Sequence, residues 1–206
     1  MTFYPLCRGG YASVVMARHY ATRRTCAVKK LDKNKIRNNL QMQERVRREC
    51  DIHSRLSHPN IVELYEIFES KDEVCLVLEY LTGGDLFDRI VKNGRMPEDQ
   101  ARPYARALFD AVHYLHELGI AHRDLKVFIW VCFSFQRKSN VNPIGEKPEN
   151  ILFSEDGTVK LIDFGFAKVD NVDCPTLLTP IGSAPYLGTS DSLLLRESHL
   201  NTLRNY

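Results

Sequence analysis

The sequence is short of several things, and each shortage narrows its function. Its six cysteines stand at 7, 26, 50, 75, 132 and 174 with no C-x-x-C pair, so neither a zinc site nor a disulfide framework is suggested and reduced thiols are expected. Charge of one sign is not in excess: 28 Lys and Arg against 26 Asp and Glu leave +2, which points to neither a nucleic acid nor a membrane surface as partner. Long apolar runs are missing too. The longest, Val127 to Phe135, is about half of what spans a bilayer, and the N-terminus has no basic segment followed by an apolar one. An intracellular protein, cytoplasmic or nuclear, is expected. No repeat is visible, and 44% hydrophobic with 26% charged residues over 206 positions excludes collagenous, low-complexity and largely disordered classes.

What is present divides by local period. Tyr11 to Ala17, Thr25 to Leu31 and Val74 to Leu78 are short and rich in β-branched or apolar residues, and read as strands. Gln41 to Leu56 is charged, free of Gly and Pro, and reads as a helix ended by the turn signal Ser57-His58-Pro59-Asn60. From Glu98 to Leu118 the residues Ala101, Tyr104, Ala105, Leu108, Ala111, Val112, Leu115 and Leu118 recur at helical spacing, with Pro97 at the start and Gly119 at the stop. Two further apolar runs, Asn150 to Phe153 and Val159 to Ile162, flank Ser154-Glu155-Asp156-Gly157-Thr158, which is hairpin chemistry. A strand-rich region of about 80 residues thus precedes a helical one, with the Thr82-Gly83-Gly84 break between them, and two lobes on a short hinge follow.

Phosphoryl transfer asks a protein for a backbone cradle, a cation on the phosphates, carboxylate and amide ligands for Mg²⁺, and a base for the acceptor hydroxyl. Each has a candidate. Leu6-Cys7-Arg8-Gly9-Gly10-Tyr11-Ala12-Ser13-Val14 resembles a glycine-rich phosphate loop, with Gly9 at its second glycine and Cys7 and Ala12 at the first and third. Cys26-Ala27-Val28-Lys29 matches the strand whose lysine reaches the phosphates, and Glu49, nine residues before His58 on the first helix, is the partner for Lys29. His122-Arg123-Asp124-Leu125-Lys126 resembles a catalytic loop, and Asp163-Phe164-Gly165 follows the second apolar run as a Mg²⁺-binding triplet should. Alone, each is weak. Their order and their placement on suitable elements make chance an implausible explanation.

Residues 1 to about 187 therefore resemble a eukaryotic Ser/Thr protein kinase, most similar to the calcium/calmodulin-dependent group through Leu81-Thr82-Gly83-Gly84-Asp85-Leu86-Phe87-Asp88-Arg89-Ile90 and Asp163-Phe164-Gly165-Phe166-Ala167-Lys168. The resemblance implies an α+β, two-lobed fold: a β-rich N-lobe over 1–80, an incomplete α-rich C-lobe over 81–187, and a tail over 188–206 outside the pattern. It implies ATP and Mg²⁺ as cofactors. Asp124 is then the base, Lys126 lies at the γ-phosphate, Lys29 pairs with Glu49, and Asn150 and Asp163 hold the metal. Leu6, Gly9, Val14 and Ala27 would enclose the nucleotide, Leu78 would be the gatekeeper, the Glu79 and Leu81 backbones would face adenine, and Asp85 would lie near the ribose. Lys126 favours Ser or Thr over Tyr, and Glu149 suggests protein substrates with basic residues near the acceptor. Arg123 implies control by activation-loop phosphorylation at Thr179 or Thr176. The 206 residues stop before any segment where a calmodulin-responsive helix would lie, which leaves calmodulin open as a partner.

Three departures qualify the pattern. Cys7 puts a side chain where glycine lets backbone approach phosphate, so weaker ATP affinity is expected, and Pro5 with its short leader suggests a clipped first strand. Asp124 and Asn150 are 26 apart where the pattern has five, and removing the 21 residues Val127 to Lys147 restores it without a gap. That growth in loop length costs only about 1.5 kcal/mol. A misplacement of about 1 Å between the two residues would cost ~100-fold in rate, so position is the harder demand. A GT-to-AG intron read through in frame and a genuine insertion both fit the segment. At the end, Gly182-Ser183-Ala184-Pro185-Tyr186-Leu187 resembles a substrate-docking loop, but Gly188-Thr189-Ser190 replaces the glutamate expected after it, and an unstable lobe is expected.

Overall fold

The structure is a computed structural model that describes residues 4–8, 10–86, 89, 97–125 and 150–169. Five strands form the first sheet: β1 (Tyr4–Arg8), β2 (Ala12–Arg18), β3 (Thr25–Asp32), β4 (Leu64–Glu69) and β5 (Glu73–Glu79), all antiparallel, in the order β1-β2-β3-β5-β4. Alternation along β3 separates two faces. Cys26 and Val28 are buried with Ala17 and Cys75 on one side. On the other, Leu31 and Leu76 are buried with Ile36 and Val46, which come from the helices α1 (Lys33–Ile36) and α2 (Leu40–His53). Each such aliphatic side chain removed from water contributes about 1.5–3 kcal/mol. Side chains set α2's N-terminus, since Asn39 accepts from the Met42 amide at 3.1 Å.

The second region holds α3 (Glu98–Glu117), the paired β6 (Ile120–Ala121) and β9 (Lys168–Val169), and the hairpin β7 (Ile151–Phe153) and β8 (Val159–Leu161). Ala101, Leu108, Ala111 and Leu115 on α3 are buried. The latter three join a core with Ile151, Phe153, Val159, Leu161 and Phe164. Hydrogen bonds join the two regions away from the hinge: Leu161 donates to Asn60 at 2.8 Å, and Val62 donates to Leu161 at 3.0 Å.

Several boundaries differ from the sequence reading for identifiable reasons. The helix expected to reach Leu56 ends at His53, because Arg55 and Leu56 donate to carbonyls three residues back, at 3.0 and 3.1 Å, tightening the chain into turns. Leu118, expected on the buried stripe of α3, is 44% exposed: it follows the last helical residue, where the backbone leaves helical geometry. Strand β4 was not anticipated. It lies at the sheet edge, and an irregularity in its pairing between Leu64 and Glu66 breaks the alternation that would mark it. Helix α1, only four residues long, has no readable period.

Candidate active site

Sheet register brings the first group together. Directly opposed residues share a face, so the pairs Val14 with Lys29, Met16 with Ala27 and Ala27 with Leu78 put Val14, Ala27, Lys29 and Leu78 on the face that α2 covers. There the Lys29 ammonium meets Glu49 Oε1 at 2.5 Å and Asp163 Oδ1 at 2.8 Å. Glu49 is 3% exposed, so its charge stands on the lysine. Burial alone would lower the Lys29 pKa; the two carboxylates outweigh it and hold the ammonium above the ordinary lysine value. Burial pushes the Glu49 carboxyl up against the pull of Lys29. Asp163 goes the other way: burial opposes ionisation, but Lys29 and the Gly165 amide bring its carboxyl below the usual range.

Hairpin register assembles the second group. Ile151 pairs with Leu161, so Asn150 and Ile162 face each other at the open end, and Ile162 donates to the Asn150 carbonyl at 2.9 Å. Asp163 is the next residue along. Asn150 in turn reaches the catalytic-loop motif: its Nδ2 donates to the Asp124 carbonyl at 2.8 Å and to Asp124 Oδ2 at 2.7 Å. Asp124 and Asn150 thus touch across a sequence separation of 26.

His122 fixes the backbone before Asp124. Its Nδ1 accepts from the Asp124 amide at 3.3 Å and its Nε2 lies 3.4 Å from the Ile162 carbonyl, a pairing that sets the tautomer with the proton on Nε2. Burial lowers its pKa. Its ring also packs on Phe164, centroids 5.1 Å apart, and Phe164 packs on His53 of α2 at 4.9 Å. Arg123 and Asp163 hold positive φ, 67° and 60°, a conformation that costs roughly 1–2 kcal/mol for an ordinary residue. Asp163 is held there by its bonds from Lys29 and from the Gly165 amide.

The expected adenine side lies along the hinge. Leu6 on β1 is 47% exposed. Leu78 and Leu81 are half-buried against the core of the second region. Glu79 donates its amide to Glu63 at 2.9 Å, and its carboxylate bonds Lys160 of β8 at 2.9 Å. Asp85 bridges to Leu152 of β7. Gly83 lies so close to β7 that an added Cβ would stand 2.6 Å from Phe153 Cβ, and Arg89 seals the contact by donating to Gly83 at 3.1 Å from above the Phe153 ring. Gly9, Lys126, Glu149, Thr176, Thr179 and the segment 127–147 lie outside the described residues.

The sequence reading did not single out Arg45, His53 or Lys160, and it marked Gly83 only as part of the break between the lobes. The readable signal for two of them was spacing: 45, 49 and 53 stand four apart on one helix face.

The donor chemistry fits a nucleotide with a divalent cation. Asn150 commits its amide nitrogen to Asp124, which leaves its carbonyl oxygen to accept, and the Asp163 carboxylate is 41% exposed. Mg²⁺ is commonly held by one or two carboxylates with phosphate oxygens and water, and needs no larger cluster. Among the described residues there is no group of three or more His, Cys, Asp or Glu placed to hold a metal. No described helix is long and apolar enough to cross a membrane.

Comparison with known proteins agrees with this chemistry. Residues 3–128 match the sequence model of the protein kinase domain. CBL-interacting serine/threonine-protein kinase 3 of Arabidopsis thaliana is 39% identical over 181 residues, 87% of this chain and 36% of that protein. CBL-interacting protein kinase 9 of Oryza sativa subsp. japonica is 39% identical over 159 residues, 77% of this chain and 30% of that protein. The chain spans about a third of the length of these curated relatives. They are kinases similar to the calcium/calmodulin-dependent group, as Leu81 to Ile90 implies.

Proposed function

The chain belongs to the protein kinase family, and from that premise we propose that it transfers the γ-phosphoryl group of ATP to serine or threonine hydroxyls of proteins. The observation that carries the proposal is the pair of hydrogen bonds from Asn150 to Asp124, which joins the base to a metal ligand despite the long stretch of chain between them.

Asp124 accepts the proton of the acceptor hydroxyl and orients its oxygen for attack. Lys29, kept charged by Glu49, steadies the phosphates. Asn150 and Asp163 are the residues that would hold Mg²⁺, which when bound supplies charge neutralisation on the phosphate oxygens. The hinge backbone at Glu79 and Leu81 takes adenine against the sheet face of Val14 and Ala27, with Leu6 and Gly9 of the glycine-rich loop enclosing the nucleotide, Leu78 at the back and Asp85 toward the ribose. Lys126 reaches the γ-phosphate, and Glu149 favours basic residues near the acceptor. Arg123 receives a phosphorylated Thr179 or Thr176. The working compartment is intracellular, cytoplasmic or nuclear.

A second reading, of a catalytically impaired nucleotide- or partner-binding product of aberrant splicing, is favoured only by the 21-residue segment within the catalytic loop. Phosphate incorporation from Mg-ATP into a basic Ser/Thr peptide, measured beside Asp124→Asn, separates the two. Transfer well above the variant is expected; transfer equal to it contradicts kinase activity.

A further inference from the structure

We propose that Arg45 is a positioning residue for the segment 163–166: its guanidinium, donating to the Gly165 carbonyl and standing over the Phe166 ring, ties α2 to the stretch that carries Asp163. The inference rests on the kinase reading for what Asp163 does, though not for the contact itself.

Three side chains one turn apart on α2 engage this segment in succession. Arg45 Nε donates to Gly165 O at 2.5 Å, and its guanidinium carbon lies 3.6 Å from the Phe166 ring centroid. Glu49 reaches Asp163 through Lys29. His53 packs on Phe164. One helix face therefore holds Phe164, Gly165 and Phe166 directly, and Asp163 through Lys29 of β3.

Gly165 shows how tightly these groups converge. A Cβ there would stand 3.2 Å from Asp163 Oδ1, 3.3 Å from Glu49 Oε2 and 3.5 Å from Arg45 Nη2. Two carboxylates and one guanidinium thus surround a single point, and the cation offsets charge that Lys29 alone must otherwise balance. Phe166 is 38% exposed, so the apolar core does not fix its ring. A planar guanidinium can stack on that ring and donate in its own plane at once; an ammonium cannot do both. Displacing α2 would then carry Gly165, and with it the Asp163 carboxylate, out of place.

Hydrogen exchange on the full chain tests this without reference to turnover. The Gly165 amide is bonded to Asp163 Oδ1 at 3.1 Å and the Ala167 amide to Phe164 O at 2.9 Å, so both report whether the segment is held. Arg45→Met and Phe166→Ala should each speed exchange at these amides about tenfold, leave the β3 and β5 amides unchanged, and together add nothing beyond either alone. Arg45→Lys should behave as Arg45→Met. A second readout is the gain in ADP affinity on adding Mg²⁺, which should shrink in Arg45→Met while affinity in EDTA stays put. Unchanged exchange at 165–167, additive effects, acceleration spread over the whole sheet, a wild-type-like Lys variant, or equal losses with and without Mg²⁺ would each overturn the proposal. A wild-type chain that binds no nucleotide would count against the kinase reading and leave exchange to judge Arg45.

Discussion

The two regions hold their proposed catalytic groups by different means. In the five-stranded sheet, Lys29 is fixed by seven successive residue pairs between β2 and β3 and another seven between β3 and β5. In the second region, Asp124 stands beyond a two-residue strand, and Asn150 and Asp163 flank three-residue strands. Regular pairing positions the first group; side-chain bonds, positive φ and one short hairpin position the second. A lesion beside Lys29 should therefore appear as lost stability, and a lesion at Asn150 as lost chemistry.

The largest effect that sharpens this contrast should come from Glu49→Leu. It removes one of the two carboxylates on Lys29 and leaves Asp163 as the other, a loss of about 2 kcal/mol that the urea midpoint would show. A midpoint unchanged within error would mean that the pair adds nothing to the sheet region. Next is Asn150→Leu, which removes both bonds to Asp124. Phosphotransfer should fall about 100-fold while the urea midpoint moves less than in Glu49→Leu, and the reverse pattern would break the comparison.

The smallest effect is on pH. Burial lowers the pKa of both His122 and His53 below the ordinary value of 6.5. The unfolded chain takes up these protons first as pH falls, so the stabilisation is complete above about pH 6.5 and declines below it, by up to about 1.4 kcal/mol per pH unit for each group. Urea titrations at pH 7.5 and 5.5 would show it, and stability that rises on acidification would contradict it.

Legibility in the sequence follows the same division. Strands β2, β3 and β5 could be read because sheet burial imposes a local pattern on Thr25 to Leu31 and Val74 to Leu78. Lys29, Asp124 and Asp163 stand out in the sequence through short motifs, and the first and last of them meet at 2.8 Å. For Arg45 and His53 the spacing four either side of Glu49 gave only a shared helix face; their partners Gly165 and Phe164 lie more than 100 residues away, and that pairing leaves no local trace. The close approach of Gly83 to Phe153 was equally hidden, although the glycine itself marked the break between the lobes. The 21-residue departure from the expected Asp-to-Asn spacing was visible at once, yet the contact between Asp124 and Asn150 appears only in three dimensions.

That contact is best tested by one rate comparison: Mg-ATP phosphotransfer by the full chain against the same chain lacking residues 127–147. If Asp124 and Asn150 already form one unit, the two rates should agree within about tenfold. A full chain at the Asp124→Asn baseline beside an active shortened one would show that the added segment keeps the two residues apart in solution.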